Sequence, residues 1–154
     1  MGRIIRAIEI YRQTGVTMSE QIRRSRLRPP PYRLCMLGVA FRDRERLYRR
    51  IDSRVDQMLA DGLLGEAEQV LSLPGGKTAA QAIGYKELAP YLRGETSLPE
   101  AVARLKQETR RYAKRQLTWF RRDSRIFWLY GDDYPNWMEM FGDACRTVEQ
   151  QLGL

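Results

Sequence analysis

Apolar residues recur at helical spacing from the start of the chain. Ile4, Ile5, Ile8 and Tyr11 predict an amphipathic helix over residues 3–13. No capping residue precedes it, which predicts a start inside a longer element. Thr14–Gly15 ends it, and Thr17 or Ser19 can cap a short second helix that runs into the basic residues 23–28. Pro29, Pro30 and Pro31 then break regular structure. Residues 32–41, YRLCMLGVAF, form a nearly continuous apolar run, the pattern of a strand buried on both faces of a parallel sheet. A helix is predicted over 44–60, with Asp43 as N-cap and Leu47, Ile51, Val55, Met58 and Leu59 as its buried stripe. A second follows over 63–73, stopped by Pro74-Gly75-Gly76, and a third over 78–92 with Gly84 inside it. Ser97-Leu98-Pro99-Glu100 is a capping-box signature. The helix it opens carries Leu98, Val102, Leu105, Tyr112, Leu117 and Phe120 on its apolar side, and Arg104, Arg111, Arg115 and Arg122 opposite. RIFWLY, residues 125–130, predicts a second strand, and a last helix is predicted over 136–152. Two strands among about six helices make an α/β chain with a very small sheet. If the strands are parallel neighbours, most of that sheet lies elsewhere.

Charge sharpens this picture. The 154 residues carry 27 basic and 19 acidic side chains, a net +8. The excess sits in two blocks. Residues 1–33 hold eight basic and two acidic groups, and residues 104–125 hold nine and two. Concentration of this kind marks a polyanion-binding surface, the other reading being two solvated basic helices. No apolar run is long enough to span a bilayer, and no signal-peptide layout is present, so a cytoplasmic protein is expected. The absence of histidine excludes Ser-His-Asp and Cys-His catalysis and His-ligated zinc within these residues. Cys35 and Cys145 form no metal-ligand or disulfide pattern.

Three segments carry candidate chemistry. Gly76-Lys77-Thr78 ends like a phosphate-binding loop. But Leu71 stands where that motif needs its first glycine, and a helix leads in rather than a strand, so it reads as a helix stop and start. Arg46, Arg50 and Arg54 share one helix face. They are either a solvated stripe paired with Asp52 and Asp56, or a guanidinium fork for a diphosphate. Residues 109–122, TRRYAKRQLTWFRR, interleave cations with Tyr112, Trp119 and Phe120. The cations suit phosphates and aromatic rings can stack on bases, although Trp119 and Phe120 are expected to pack into the core.

Several stretches together resemble one family. IIRAIEIYRQTGVTMSEQ, AIGYKELAPYLRGE and TRRYAKRQLTWFRRD, with RLYRRIDSRVDQMLADGLLGEAEQVL between them, resemble the C-terminal half of the tRNA dimethylallyltransferases, also called tRNA isopentenyltransferases. The resemblance covers about residues 3–130. Val16-Thr17 stands where the family commonly has Lys-Pro. The resemblance implies a P-loop-kinase-like parallel-sheet α/β fold of the nucleotide- and ATP-binding type. Of that fold, this chain would be the mostly helical C-terminal part, without the N-terminal P-loop half. Residues 1–30 would be the returning helix of a helical tRNA-gripping insertion, and residues 31–154 the C-terminal part of the core. Such enzymes transfer a dimethylallyl group from dimethylallyl diphosphate to the exocyclic amine of the adenine 3′ of the anticodon.

The resemblance places Arg54 at the donor diphosphate. It places Gln81, Ala82, Ile83, Gly84, Tyr85 and Lys86 against the tRNA anticodon stem-loop, with Lys114, Arg115, Gln116, Leu117, Thr118, Trp119, Phe120 and Arg121. Gly84 would let backbone approach RNA closely. Magnesium is implied with its ligands outside this chain, and a monomer is expected once the enzyme is complete. The family's acidic general base has no counterpart here, so no catalytic residue is expected in this chain and the isolated chain is expected to be inactive. Glu87 is the one in-chain carboxylate that could replace it. Two readings compete with an enzyme's C-terminal part: a free-standing basic tRNA-binding module without chemistry, and a piece of a generic P-loop kinase. An upstream reading frame encoding a G-x-x-x-x-G-K-[ST] loop would discriminate them.

Overall fold

The structure, a computed structural model, describes residues 2–27, 31–73 and 79–154. The Gly76–Lys77–Thr78 segment and Pro29–Pro30 lie outside the described residues. The chain divides into two compact units, Met1–Leu34 and Cys35–Leu154.

The first unit is a helical hairpin. Helix α1 spans Gly2–Thr14 and α2 spans Met18–Leu27. Gly15 makes the turn at φ 68°, and the Thr17 hydroxyl accepts from the Glu20 amide, as an N-cap does. Ile4, Ile5, Ile8 and Tyr11 form the apolar face of α1, and all four are exposed.

The second unit is built on helices around one short sheet. Strand β1 (Met36–Ala40) is followed by α3 (Arg44–Ala60), α4 (Leu63–Ser72), a 3₁₀ turn (Ala79–Gln81), α5 (Tyr85–Leu92), α6 (Leu98–Phe120), β2 (Ile126–Tyr130) and α7 (Trp137–Leu152). The caps follow the sequence pattern. The Asp43 carboxylate accepts from the Glu45 amide, Ser97 and Glu100 exchange bonds across the first turn of α6, and Asn136 accepts from Glu139. The expected helix over 78–92 is broken. Gly84 adopts φ 114°, ψ −65°, a conformation that interrupts a helix, so α5 starts only at Tyr85.

The two strands pair in parallel, from Met36 with Ile126 to Ala40 with Tyr130. The ladder is as long as β2, which shortens the strand predicted over 32–41 to five residues. Gly38 is required by what lies against it. A Cβ there would meet Ile126 Cγ2 and Trp128 Cε3 at 2.8 Å. The core gathers Val55, Leu63, Ala67, Leu88, Ala101 and Leu105 from α3, α4, α5 and α6. Within α6 the buried residues are Ala101 and Leu105, both in its N-terminal half.

A carboxylate links the ends of the sheet. Asp132, just after β2, accepts from the amides of Asp43 and Arg42, which lead into α3, at 2.7 Å and 2.9 Å. These bonds, Asp43 first, hold its pKa below the ordinary aspartate value. A depressed folded pKa contributes stability above the unfolded value of 3.8, and that contribution is lost as pH falls through the folded one. Stability measured by urea unfolding should therefore decline on acidification below about pH 4, and decline less steeply in Asp132→Asn.

Candidate functional site

Two ion pairs lock α3 against α6. Arg110 reaches Asp52 at 3.0 Å, and Lys106 reaches Asp56 at 2.6 Å. This overturns the expected pairing of Asp52 and Asp56 with the arginine stripe of their own helix. Both carboxylates turn toward α6, and Arg46, Arg50 and Arg54 make no ion pair among the described residues. The three arginines instead line an open hollow with Arg49 and Gln57. The guanidinium of Arg50 lies 5.5 Å from the centre of the Phe41 ring.

Arg54 also reaches a second space. A cleft of about 330 Å³ between α3, α6 and the turn before α5 is lined by Arg54, Ile83, Gly84, Thr109, Tyr112 and Gln116 among others. The fold thus brings the residue expected at a diphosphate to the same cleft as three residues expected at tRNA. Thr109 and Tyr112 join them. Sequence reasoning had placed Tyr112 on the apolar stripe, but it is half exposed at the cleft.

The turn before α5 is structurally constrained. Gly84 is buried, and its amide donates to Glu87 Oε2 at 2.9 Å. Glu87 is 3% exposed, with Lys86 Nζ 3.4 Å from its other oxygen. Glu87, the one in-chain base candidate, thus caps α5 and is closed off from solvent. Space for a Cβ exists at Gly84, the nearest atom being Leu63 Cδ1 at 4.0 Å, so the backbone angle alone demands glycine. Gly84→Ala should destabilise the chain by about 1–3 kcal/mol in urea unfolding, the cost of a non-glycine residue in such a region. Tyr85 donates to Glu66 Oε1 at 2.5 Å, and that carboxylate raises the phenol's pKa. Gln81, Ala82 and Lys86 are exposed beside this turn, while Ile83 packs against the core.

The C-terminal half of α6 carries the remaining candidates. Lys114, Leu117, Thr118 and Arg121 line a cavity of about 210 Å³ with Arg44 and Tyr48 of α3. Arg44 and Tyr48 were not singled out in the sequence. Their i, i+4 spacing puts them on one face, but nothing local says that α6 lies opposite. Arg115 stacks over Tyr112 at 5.7 Å. The expectation that Trp119 and Phe120 enter the core is overturned. Trp119 is 66% exposed and Phe120 41%, with their rings edge to face at 4.9 Å. They sit on the last turn of α6.

Among the described residues no three carboxylate or thiol side chains come together as a metal site. The described residues do not by themselves fit magnesium. None of the described helices is long and apolar enough to cross a membrane.

A family model described as IPP transferase matches residues 1–123. The chain belongs to the IPP transferase family. It is 52% identical over 137 residues to a tRNA dimethylallyltransferase of Desulforamulus reducens, covering 88% of this chain and 48% of that protein. It is 48% identical over 153 residues to one from a Thermoanaerobacter species, covering 97% and 49%. Among solved structures, a tRNA delta(2)-isopentenylpyrophosphate transferase from Staphylococcus epidermidis superposes with a TM-score of 0.67 at 35% identity, covering 97% of this chain and 48% of that one. The full-length tRNA isopentenylpyrophosphate transferase of Bacillus halodurans gives 0.68 at 36% identity, covering 87% and 45%. The chain therefore spans about half the length of the relatives it matches, and corresponds to the C-terminal half of the full protein. Its mostly helical α/β architecture with a small parallel sheet is structurally similar to the matched parts of these two transferases.

Proposed function

We propose that this chain is the C-terminal part of a tRNA dimethylallyltransferase, the part that grips the anticodon stem-loop and holds the departing diphosphate. The observation that carries this reading is the cleft where Arg54 meets Ile83, Gly84, Tyr112 and Gln116. Attack of the adenine amine on the allylic carbon of the donor breaks the carbon–oxygen bond and leaves negative charge on the diphosphate. A planar guanidinium with no acidic partner among the described residues tracks that charge better than an ammonium would. Tyr112, Thr109 and Gln116 offer a ring face and polar groups to a base turned out of its loop. The cations of α6, with exposed Trp119 beside Arg122 and Arg125, suit the phosphates and stacked bases of the loop. Magnesium, if used, takes ligands outside the described residues of this chain. The amine must lose a proton, and no carboxylate lines this cleft among the described residues, so the base comes from elsewhere in the complete enzyme.

Two measurements test this. The chain should bind an anticodon stem-loop with adenine 3′ of the anticodon more tightly than an unrelated hairpin of equal length, and equal affinity would sink the proposal. With labelled dimethylallyl diphosphate, magnesium and unmodified tRNA, the chain alone should show no transfer above background. Turnover that disappears in Glu87→Gln would show that this chain carries its own base after all.

A further inference from the structure

Asp52 meets Arg110 and Asp56 meets Lys106, so residue numbers fall along α3 as they rise along α6, and the two helices run antiparallel. Those pairs use the interface acids at its middle. Toward the start of α3 and the end of α6 the facing side chains change in kind. Arg44 and Tyr48 are four residues apart on α3. Lys114, Thr118 and Arg121 are four and then three apart on α6, so each set shares one helix face. The two faces meet at the cavity of about 210 Å³. No carboxylate lines it among the described residues, and Arg44, Lys114 and Arg121 make no ion pair among them. Arg42 also lines it, but Asp133 holds that guanidinium at 2.8 Å. Asp132 is likewise spent, on the amides of Arg42 and Asp43. The Thr118 hydroxyl donates to the Lys114 carbonyl at 2.9 Å, whereas the Tyr48 hydroxyl is free to donate.

Three cations gathered without an acid repel one another, and an anion seated among them removes that cost. The cavity is smaller than the cleft of about 330 Å³ at Arg54, so it suits a phosphate group better than a base. Exposed Trp119 and Phe120 stand on the same turn of α6 as Arg121. A carboxylate ligand has no use for such rings, whereas a nucleotide offers them a base to stack on. We propose that Arg44 and Tyr48 of α3 close on one backbone phosphate of a single-stranded RNA loop, opposite Lys114 and Arg121 of α6, an assignment that rests on the proposed tRNA function. Arg44 supplies a planar fork, Lys114 a point charge and Tyr48 a hydroxyl donor. A contact of this kind reads no sequence. It fixes the register of the loop, and so which nucleotide is offered to the Arg54 cleft.

The test measures binding of an anticodon stem-loop to the 154-residue chain by fluorescence anisotropy. Arg44→Ala, at an exposed first residue of α3, should weaken binding about sixfold near 0.1 M salt and lower the log–log salt slope by about 0.7, the share of one loop phosphate. Tyr48→Phe should weaken it about threefold, the loss of one neutral hydrogen bond. Circular dichroism and thermal unfolding verify that both variants fold. The decisive arm replaces each loop phosphate in turn by a neutral methylphosphonate. One replacement should weaken binding to the unaltered chain about sixfold and to Arg44→Ala less than twofold. If every replacement weakens both proteins by the same factor, no phosphate sits against Arg44 and the proposal is overturned. Two other outcomes overturn it: displacement of the stem-loop by millimolar inorganic phosphate at matched ionic strength, which makes this a free-anion pocket, and Arg44-dependent binding of polyglutamate as tight as that of the stem-loop. If charge reversal at Lys114 and Arg121 lowers RNA affinity while Arg44→Ala and Tyr48→Phe do not, this assignment fails and the tRNA reading stands. If none of these changes lowers it, both fail.

Discussion

Replacing Lys114 and Arg121 together by glutamate will lower the affinity of the chain for an anticodon stem-loop by roughly 40-fold or more near 0.1 M salt. The two side chains line one cavity on α6, and neither makes an ion pair among the described residues. Each phosphate neutralised releases about 0.7–0.9 of a counterion, so each contact is worth roughly sixfold at that salt, and two contacts multiply. Charge reversal adds repulsion to the loss. The slope of log affinity against log salt should fall in magnitude by about 1.5. Arg111 is a weaker choice for this experiment, because it already donates to Glu108 at 2.6 Å. The measurement is fluorescence anisotropy across a salt series, with thermal unfolding to verify that the variant is folded. Unchanged affinity and slope would mean that RNA does not meet this side of α6.

Arg54→Ala, in a fusion of this chain to the N-terminal half of the Desulforamulus reducens relative, should lower kcat/KM for the diphosphate donor by about 30- to 1,000-fold. That corresponds to losing one preorganised donor to a developing anion, about 2–4 kcal/mol of transition-state stabilisation. Affinity for tRNA should change less than donor use, since Arg54 is not among the residues lining the Lys114–Arg121 cavity proposed for the stem-loop phosphates. Arg54→Lys should recover only part of the rate, because an ammonium lacks the bidentate fork. Steady-state kinetics with the donor varied, beside a tRNA-binding isotherm, separates the outcomes. A variant that loses tRNA affinity with normal donor kinetics would make Arg54 an RNA contact instead.

Much of the fold was legible from local signals. The Asp43 and Ser97 caps, the helix over 44–60 and the apolar strand-length runs each follow from contacts within a few residues, which is the range over which sequence pattern acts. The family resemblance was legible for a related reason: its motifs are contiguous segments. Gly84 marks the boundary of that legibility. Its presence inside a helical pattern was visible, but its φ of 114° belongs to the cap it forms with Glu87, and it splits the segment in two.

Tertiary structure decided which groups are available for chemistry. Asp52 and Asp56 could pair along their own helix or across to another. The partners that take them, Arg110 and Lys106, lie more than 45 residues further along the chain, and only helix packing brings them close. That choice leaves Arg54 without an acidic partner among the described residues. Glu87 is buried as the cap of α5, and Trp119 and Phe120, on the last turn of α6, face outwards. The sequence by itself determined where helices start, where charge accumulates and which family the chain resembles. Whether a given charge is free or paired, and a given ring exposed or covered, depends on a neighbour remote in sequence, and only the folded chain selects that neighbour.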